Sequence, residues 1–173
     1  MHTLGPQATD SNAAAERYVK LHPNLKIKLH VDFLDVLNHL NDYSGDLLLI
    51  PMAYQDHEGN SLGDYHYQLI DKMHLIDTII TDLDPIVVIE NHSNNHKLYT
   101  HPATIKLAEK YQNGCDIITT NSKYAAYQSY LIDGKLVITN QKNVAKLAPD
   151  ETILQTIHSK MSWCIYQIGG VSS

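Results

Sequence analysis

The apolar and polar positions of the first fifty residues alternate between the period of a strand and that of a helix. Residues 24–31 alternate strictly, as in a half-buried strand, and residues 31–42 then repeat apolar side chains at helical spacing behind Asp32, a predicted N-cap. The run "DLLLIP", ending at Pro51, is apolar throughout, as in a central strand. With a strand and a helix before them, these segments predict the order β-α-β-α-β and a parallel sheet, whose ligands collect beyond the carboxyl ends of the strands.

The stretch "TLGPQATDSNAAAERY" predicts a strand, a tight turn and the start of a helix. Gly5 and Pro6 break the strand, and Thr9, Asp10 and Ser11 offer the side-chain oxygens of an N-cap. The N–H groups at a helix start can hold a carboxylate or a phosphate without any Lys or Arg. The alternative is an ordinary capped connection with no ligand.

The middle of the chain predicts a change of organisation. Residues 53–68 are polar, aromatic and punctuated by Gly, which indicates an irregular connection over a cleft. Residues 73–91 predict two strands broken at Asp84-Pro85, a crossing between lobes.

Two more βα units follow in the second half. One strand ends at Thr100-His101 before a helix with Pro102 in its first turn, and another ends in the cap region Thr119 to Ser122. Residues 134–141 predict a strand, and residues 149–160 predict a short helix that starts at Pro149-Asp150. An apolar final strand covers "MSWCIYQIGG".

Composition narrows the classes of partner. The chain has 173 residues, a formal net charge of −6 and a single arginine, Arg17, which argues against nucleic acid. Any carboxylate ligand must then be held largely by helix starts, hydroxyls, His or Lys.

Cysteine usage and hydropathy bear on the location of the protein. Cys115 and Cys164 lie in apolar runs without a C-x-x-C partner, so we expect free thiols. No run is long enough to span a membrane and no export signal precedes the first strand, so we expect a cytoplasmic protein without a membrane partner.

The eleven histidines suggest one candidate for chemistry. His92 and His96 are four residues apart but stand among Asn and Ser in a predicted loop, so we expect no metal site. His101 precedes Pro102 at a helix start, where it either faces a ligand, caps the helix or lies satisfied in the core.

Four motifs in order resemble the catalytic domain of prephenate dehydratases. "LGPQATDSNAAAERY" resembles that family's "GP-x-G-T-x-S-x-x-A-A" opening, and "LLLIPMAYQ" sits at its "hVPhEN" strand end. "THPATIKLAEKY" resembles the Ser-His-Pro segment, and "DIITTNSKYAAYQ" resembles "AAIAS-x-x-A-A". The resemblance implies the two-lobed α/β fold of type 2 periplasmic binding proteins, in which each lobe is a sheet flanked by helices and the ligand binds in the cleft between the lobes.

The departures from that family are equally informative. The catalytic Thr of its Thr-Arg-Phe motif is replaced here by Met161, in "MSW", and the Glu-Asn pair is replaced by Ala53-Tyr54 or by nearby residues. The residue before Thr9 is Ala8 instead of Gly. A subgroup of prephenate decarboxylases from natural-product pathways, bacilysin biosynthesis among them, shares these departures, and the chain resembles a member of that subgroup.

The resemblance implies residues 1–80 plus 155–173 as lobe 1, residues 81–154 as lobe 2, and no regulatory domain. It also implies a cofactor-independent enzyme that acts on a small dicarboxylate such as prephenate, with a homodimer left open. Candidate catalytic residues are His101, Tyr54 and Met161. The candidate substrate-binding residues are Gln7, Ala8, Thr9, Ser11, Met52, Ala53, Pro102, Ala103, Thr104, Thr119, Thr120, Asn121, Ser162 and Trp163.

Loss of the dehydratase hydroxyl favours one reaction. Without an acid at the ring hydroxyl, a dry pocket favours loss of carbon dioxide and protonation of a ring carbon, with His101, Tyr54 or water as the donor. A non-catalytic binding module on the same fold is the alternative, and a working dehydratase is a weaker one. The resemblance places Met161 at the position of the family's catalytic Thr and so implies that it faces the ligand. Strand alternation then predicts that Trp163 shares that face while Ser162 faces away.

Overall fold

The computed structural model describes residues 1–7 and 9–170, and within them ten strands and five α-helices form. The strands are β1 His2–Leu4, β2 Lys28–His30, β3 Leu47–Pro51, β4 Met73–Asp82, β5 Ile86–Asn91, β6 Lys97–Thr100, β7 Asp116–Thr119, β8 Leu136–Asn140, β9 Glu151–Ile157 and β10 Lys160–Ile168. The α-helices are α1 Asp10–Leu21, α2 Phe33–Asn38, α3 Leu62–Gln68, α4 Ile105–Ala108 and α5 Lys123–Asp133. Short 3-10 turns span Leu40–Tyr43, Pro102–Thr104 and Gln141–Asn143.

The chain divides into two compact units. Unit 1 is Met1–Leu83 with the segment from Lys160 onward, and unit 2 is Asp84–Ser159. These boundaries lie a few residues later than residues 80 and 155 of the sequence-based proposal, because β4 runs on to Asp82 and β9 to Ile157.

Unit 1 is built on a mixed five-stranded sheet in the order β2-β1-β3-β10-β4. The first three of these strands are parallel, and β10 runs antiparallel to both β3 and β4. In β3, Leu48, Leu49 and Ile50 are fully buried, which explains why this strand is apolar throughout. Burying each such side chain contributes about 1.5–3 kcal/mol to folding.

Helices cover both faces of this sheet. On one face, Ala14, Ala15 and Tyr18 of α1 pack with Leu49 and Trp163. On the other face, the apolar sides of α2 and α3 pack against the alternate residues of the same strands. The alanines in the first helix thus allow α1 to lie close to the sheet.

Unit 2 repeats this arrangement in a sheet of order β7-β6-β8-β5-β9. Strands β7, β6 and β8 are parallel, while β5 is antiparallel to β8 and β9. Helix α5 packs on one face through Ala126, Tyr127 and Tyr130, and α4 packs on the other through Ala108. Each unit therefore has three parallel strands whose carboxyl ends share an edge.

Most of the predicted elements form. The order β-α-β-α-β and the parallel pairing of the first three strands are confirmed, as are Thr9, Asp32 and Ser122 as N-caps. The helix predicted over residues 149–160 is wrong, because Glu151–Ile157 forms the edge strand β9. The β-branched residues Thr152, Ile153, Thr156 and Ile157 favour a strand there, and β5 supplies its partner.

Two further segments differ in length or type. The connection over residues 53–68 contains α3, whose start is a capping box between Ser61 and Asp64. The helix predicted from Pro102 is split into a 3-10 turn and the single turn of α4. No helix in the described part of the chain combines the length and the apolar character needed to cross a membrane.

Candidate functional site

The turn between β1 and α1 is held by its own side chains. The Thr9 hydroxyl lies 2.9 Å from the carbonyl oxygens of Leu4 and Pro6, and it accepts the Asn12 N–H at 3.2 Å. The Asn12 amide donates to the carbonyl of Gln7 at 3.0 Å. A hydroxyl carries one proton, so the donor capacity of Thr9 is used inside the turn.

The neighbouring candidates of this turn differ in exposure. Gln7 is exposed, whereas Ser11 is buried in the first turn of α1. Ala8 lies outside the described residues. What the turn can offer an anion is therefore the backbone N–H groups at the start of α1, which have no partners within the helix.

The end of β3 carries the candidate with the clearest chemical potential, Tyr54. Its hydroxyl is shut off from solvent and has no hydrogen-bond partner among the described residues. The ring packs edge-on to Phe33, with centroids 5.3 Å apart, and beside Tyr65 at 6.1 Å. Burial, reinforced by the Asp32 charge, raises the pKa of Tyr54 to about 12. Tyr54 is therefore a neutral phenol at neutral pH, able to donate a proton or a hydrogen bond.

The loop after Tyr54 is fixed by a network that the sequence did not indicate. The Tyr65 hydroxyl donates to the Asp56 carboxylate at 2.5 Å, and the backbone N–H groups of Glu58 and Asn60 donate to the same side chain at 2.9 and 2.8 Å. These donors hold the pKa of Asp56 well below its usual range, with the Tyr65 hydrogen bond as the largest cause. The network fixes the loop that follows Tyr54, and its only sequence signal is the Asp-to-Asn spacing of an Asx-type turn.

The last strand places its three candidates on two faces. Trp163 is 2% exposed in the core under α1, and its indole N–H donates to the Thr81 hydroxyl at 2.8 Å. Met161 is half-buried and packs against that same core. Ser162 lies on the other face, and its carbonyl accepts the N–H of the exposed Met52 at 2.9 Å.

Strand alternation thus gives Met161 and Trp163 a common face, as predicted, but that face is the hydrophobic core of unit 1. This corrects the expectation that Trp163 faces a ligand, because its ring packs under α1 and its one N–H is already bonded to the Thr81 hydroxyl. Ala53, at the end of β3, is exposed beside Met52.

In unit 2, the turn after β6 is capped by His101. Its Nδ1 accepts the Ala103 N–H at 3.2 Å, which leaves the proton on Nε2. Burial lowers the pKa of His101, and the Lys123 charge lowers it further. His101 is therefore a neutral imidazole with one N–H donor beyond the capping bond.

The residues after His101 divide between solvent and interior. Pro102 and Ala103 are exposed. Thr104 is 8% exposed, lies 2.8 Å from the Thr100 hydroxyl and donates to the His101 carbonyl at 3.0 Å. Thr104 is thus a positioning residue of the turn.

The start of α5 lies at the same sheet edge as the His101 turn. The Thr120 N–H donates to the Thr100 carbonyl at 2.9 Å, which ties the end of β7 to the end of β6. The Thr120 hydroxyl donates to the Ser122 carbonyl at 2.9 Å, and Ser122 caps α5 through the Ala125 N–H at 3.0 Å. Thr119 and Asn121 are exposed on either side of Thr120. Unit 2 therefore brings together the two strand-end turns that the sequence predicted.

Other histidines lie away from these turns. His92 and His96 are exposed, and within the described ranges there is no group of three or more His, Cys, Asp or Glu side chains arranged to hold a metal ion.

Besides the Asp56 network, sequence analysis also missed Asn140, at the end of β8. It is buried and its side-chain oxygen has no partner among the described residues.

No family model and no curated protein matches this chain. Among solved structures, a prephenate dehydratase from Staphylococcus aureus matches with a TM-score of 0.61 and 15% identity over 96% of this chain and 65% of that one. A prephenate dehydratase from Arthrobacter aurescens, in complex with L-Phe, matches with a TM-score of 0.56 and 13% identity over 98% and 60%. GqqA, a quorum-quenching acylase, matches with a TM-score of 0.50 and 9% identity over 99% and 64%.

These similarities show that the chain shares the α/β fold of the two prephenate dehydratases, and they confirm the predicted fold of two lobes, each a sheet flanked by helices. At such identities the similarities concern the fold alone, which a dehydratase and an acylase share here. The chain spans about 60–65% of the length of these structures.

Proposed function

We propose that the protein is a cofactor-independent lyase that decarboxylates prephenate, or a close dicarboxylate relative, without making the ring aromatic. The observation that carries the proposal is the buried, unpartnered phenol of Tyr54 at the carboxyl end of β3. It stands where the resemblance to prephenate dehydratases predicts a Glu-Asn pair. A neutral proton donor, Tyr54, thus stands next to the position at which the resemblance places the family's Glu.

The chemistry that we propose breaks the bond between the ring and its carboxylate. Carbon dioxide leaves, the electron pair of the broken bond stays in the ring system, and a ring carbon takes one proton. The hydroxyl and the pyruvyl side chain are retained. Since the charge of the carboxylate disperses toward the transition state, a dry environment favours this step.

We assign the proton to the Tyr54 hydroxyl. A pKa of about 12 keeps the phenol protonated at neutral pH, and the carbanion that forms in the ring is basic enough to take its proton. Within unit 2, His101 retains its Nε2–H, so the turn after β6 can by itself donate a hydrogen bond to a carboxylate. With Met161 packed against the core, the loss of the dehydratase hydroxyl stays an inference from the resemblance.

Two alternatives keep support from particular residues. A non-catalytic carboxylate-binding module would need only the backbone N–H groups at the start of α1, because the Thr9 hydroxyl is used inside its own turn. A dehydratase is favoured by Ser162, a hydroxyl on the sheet face opposite α1, whose backbone is bonded to Met52. Product analysis separates all three.

The test is incubation with prephenate, followed by ultraviolet spectra and NMR of the products. We expect a non-aromatic dihydro-hydroxyphenylpyruvate and one equivalent of carbon dioxide. Phenylpyruvate would favour the dehydratase, and saturable binding with unchanged prephenate would favour the binding module.

Replacing Tyr54 by Phe sharpens this test. Loss of the proton donor is expected to lower the rate of product formation about 100-fold, within the usual range for general acid catalysis. The melting temperature should stay unchanged or rise, because an unpartnered buried hydroxyl is removed. Tyr67→Phe, at a side chain that is 76% exposed, is the matched control and should change neither quantity. A fully active Tyr54→Phe variant would remove Tyr54 from the reaction.

A further inference from the structure

Two buried acceptor oxygens at one end of the unit 2 sheet have no donor. The side-chain oxygen of Asn140 and one carboxylate oxygen of Asp84 are shut off from solvent and lack hydrogen-bond partners among the described residues. Asn140 as a whole is 8% exposed. Leaving such groups unpaired costs about 1–3 kcal/mol each, so a donor is expected at this place.

The two oxygens belong to adjacent backbone segments. Asn140 is the strand partner of Ile86, and the Gln141 N–H donates to the Pro85 carbonyl at 2.7 Å. The Asp84-Pro85 step therefore runs directly beside the end of β8. Both residues belong to unit 2.

Alternation along β8 shows which face Asn140 occupies. Thr139 bonds to the Lys123 carbonyl at 2.7 Å and so faces α5. Ile138 packs with Ala108 of α4 on the other face, and Asn140 shares that face. The turn that leads into α4 begins at His101, at the carboxyl end of the neighbouring strand β6. One edge of the unit 2 sheet thus carries a neutral hydrogen-bond donor, His101, and two acceptor oxygens, those of Asp84 and Asn140.

From this arrangement we infer that Asp84 and Asn140 accept a hydrogen bond from the ring hydroxyl of the ligand; the inference rests on the proposed function. Prephenate carries two carboxylates, a ketone and one hydroxyl, so its hydroxyl is the one hydrogen-bond donor it can present. The Asp84 charge repels either carboxylate of the ligand. The single donor of the ligand and the repulsion of its carboxylates together orient it with its ring hydroxyl toward Asp84 and Asn140.

This orientation has a consequence for the reaction. A hydroxyl leaves a ring as water only when its oxygen receives a proton. A hydroxyl that donates to a carboxylate and an amide oxygen meets acceptors instead of an acid, so it stays on the ring. The pair thus acts as a specificity determinant for decarboxylation without loss of water.

The experiment measures binding by calorimetry for two ligands, prephenate and its analogue with hydrogen in place of the ring hydroxyl. Asn140→Leu is expected to weaken prephenate binding about tenfold or more and to leave binding of the analogue unchanged. Its melting temperature should stay equal or rise, since an unpaired oxygen is lost. Asp84→Ala, at a partly exposed residue, should show the same selectivity if Asn140→Leu folds poorly. Asn94→Leu, in the exposed loop before β6, is the matched control.

Three outcomes would overturn the inference. Equal losses for both ligands would indicate a steric effect, and unchanged prephenate affinity in both variants would exclude the contact. A lower melting temperature with an unchanged ratio of the two affinities would identify a structural, water-bridged pair. If the wild-type protein binds no prephenate at all, both the proposed function and this inference are wrong. If it binds prephenate but the variants show no selectivity between the two ligands, only this inference is wrong.

Discussion

The first strand-to-helix turn of unit 1 and the corresponding turn of unit 2 meet the same local need with different side chains. Each follows the central strand of three parallel strands, β1 or β6, and each is capped by its own residue, Thr9 or His101. The Thr9 hydroxyl bonds to two carbonyls and accepts one N–H within its own turn. His101 uses only its Nδ1 in the cap, where it accepts one N–H, and its Nε2 takes no part in the capping bond. A cap with one polar atom stabilises the fold, and a cap with two can also serve a ligand.

The largest expected effect comes from replacing His101 by Ala. We expect the affinity for prephenate to fall about tenfold to a hundredfold, since a hydrogen bond to a charged ligand group is lost. The free energy of unfolding should change by less than about 1 kcal/mol, because the cap serves only a three-residue turn. Calorimetry and urea denaturation measure the two quantities.

His92→Ala, at an exposed loop residue, is the control for that variant and should leave both quantities unchanged. A His101→Ala protein with normal affinity and lowered stability would show that both turns are purely structural.

Replacing Thr9 by Val tests the other turn. The free energy of unfolding should fall by about 1–2 kcal/mol, because α1 loses its N-cap and two carbonyls lose their donor. Thr9→Ser restores the hydroxyl and should recover most of that loss in urea denaturation. Weaker prephenate binding at unchanged stability would reverse the contrast between the turns.

The smallest expected effect is on the pH dependence of stability. Burial lowers the pKa of His101 in unit 2, and burial also lowers the pKa values of His2 and His30 in unit 1. His2 is 1% exposed and bonded to Asp46 and His30, at 2.8 Å each, and burial outweighs the opposing effect of Asp46 on its pKa.

A lowered histidine pKa means that the unfolded chain binds more protons once the pH falls below about 6.5. Stability should therefore be full near pH 7 and decline as the pH falls through about 6.5 toward the folded-state pKa values. Urea denaturation between about pH 7 and 5 measures the slope. His101→Asn should flatten it partly and His30→Asn should flatten it separately, whereas a slope that both variants leave intact would place the titration elsewhere.

Local signals in the sequence determined much of the fold. The apolar run of β3, the break at Asp84-Pro85 and the caps Thr9, Asp32 and Ser122 depend on neighbours in the chain, so each was predictable. The same reasoning failed at β9, where Ile153 and Leu154 lie four and three residues before Ile157. This is the apolar spacing of a helix, and only the pairing with β5 makes the segment a strand.

The functional side chains depended on tertiary contacts instead. Period two predicted that Met161 and Trp163 share a face, but only the packing of α1 decided that this face is the core. The sequence marked His101 without deciding between cap and ligand, and the bond from the Ala103 N–H shows that one ring nitrogen caps while the other remains a donor. The isolation of Tyr54, Asp84 and Asn140 has no sequence signal at all, because whether a buried polar atom finds a partner depends on which distant segments fold around it.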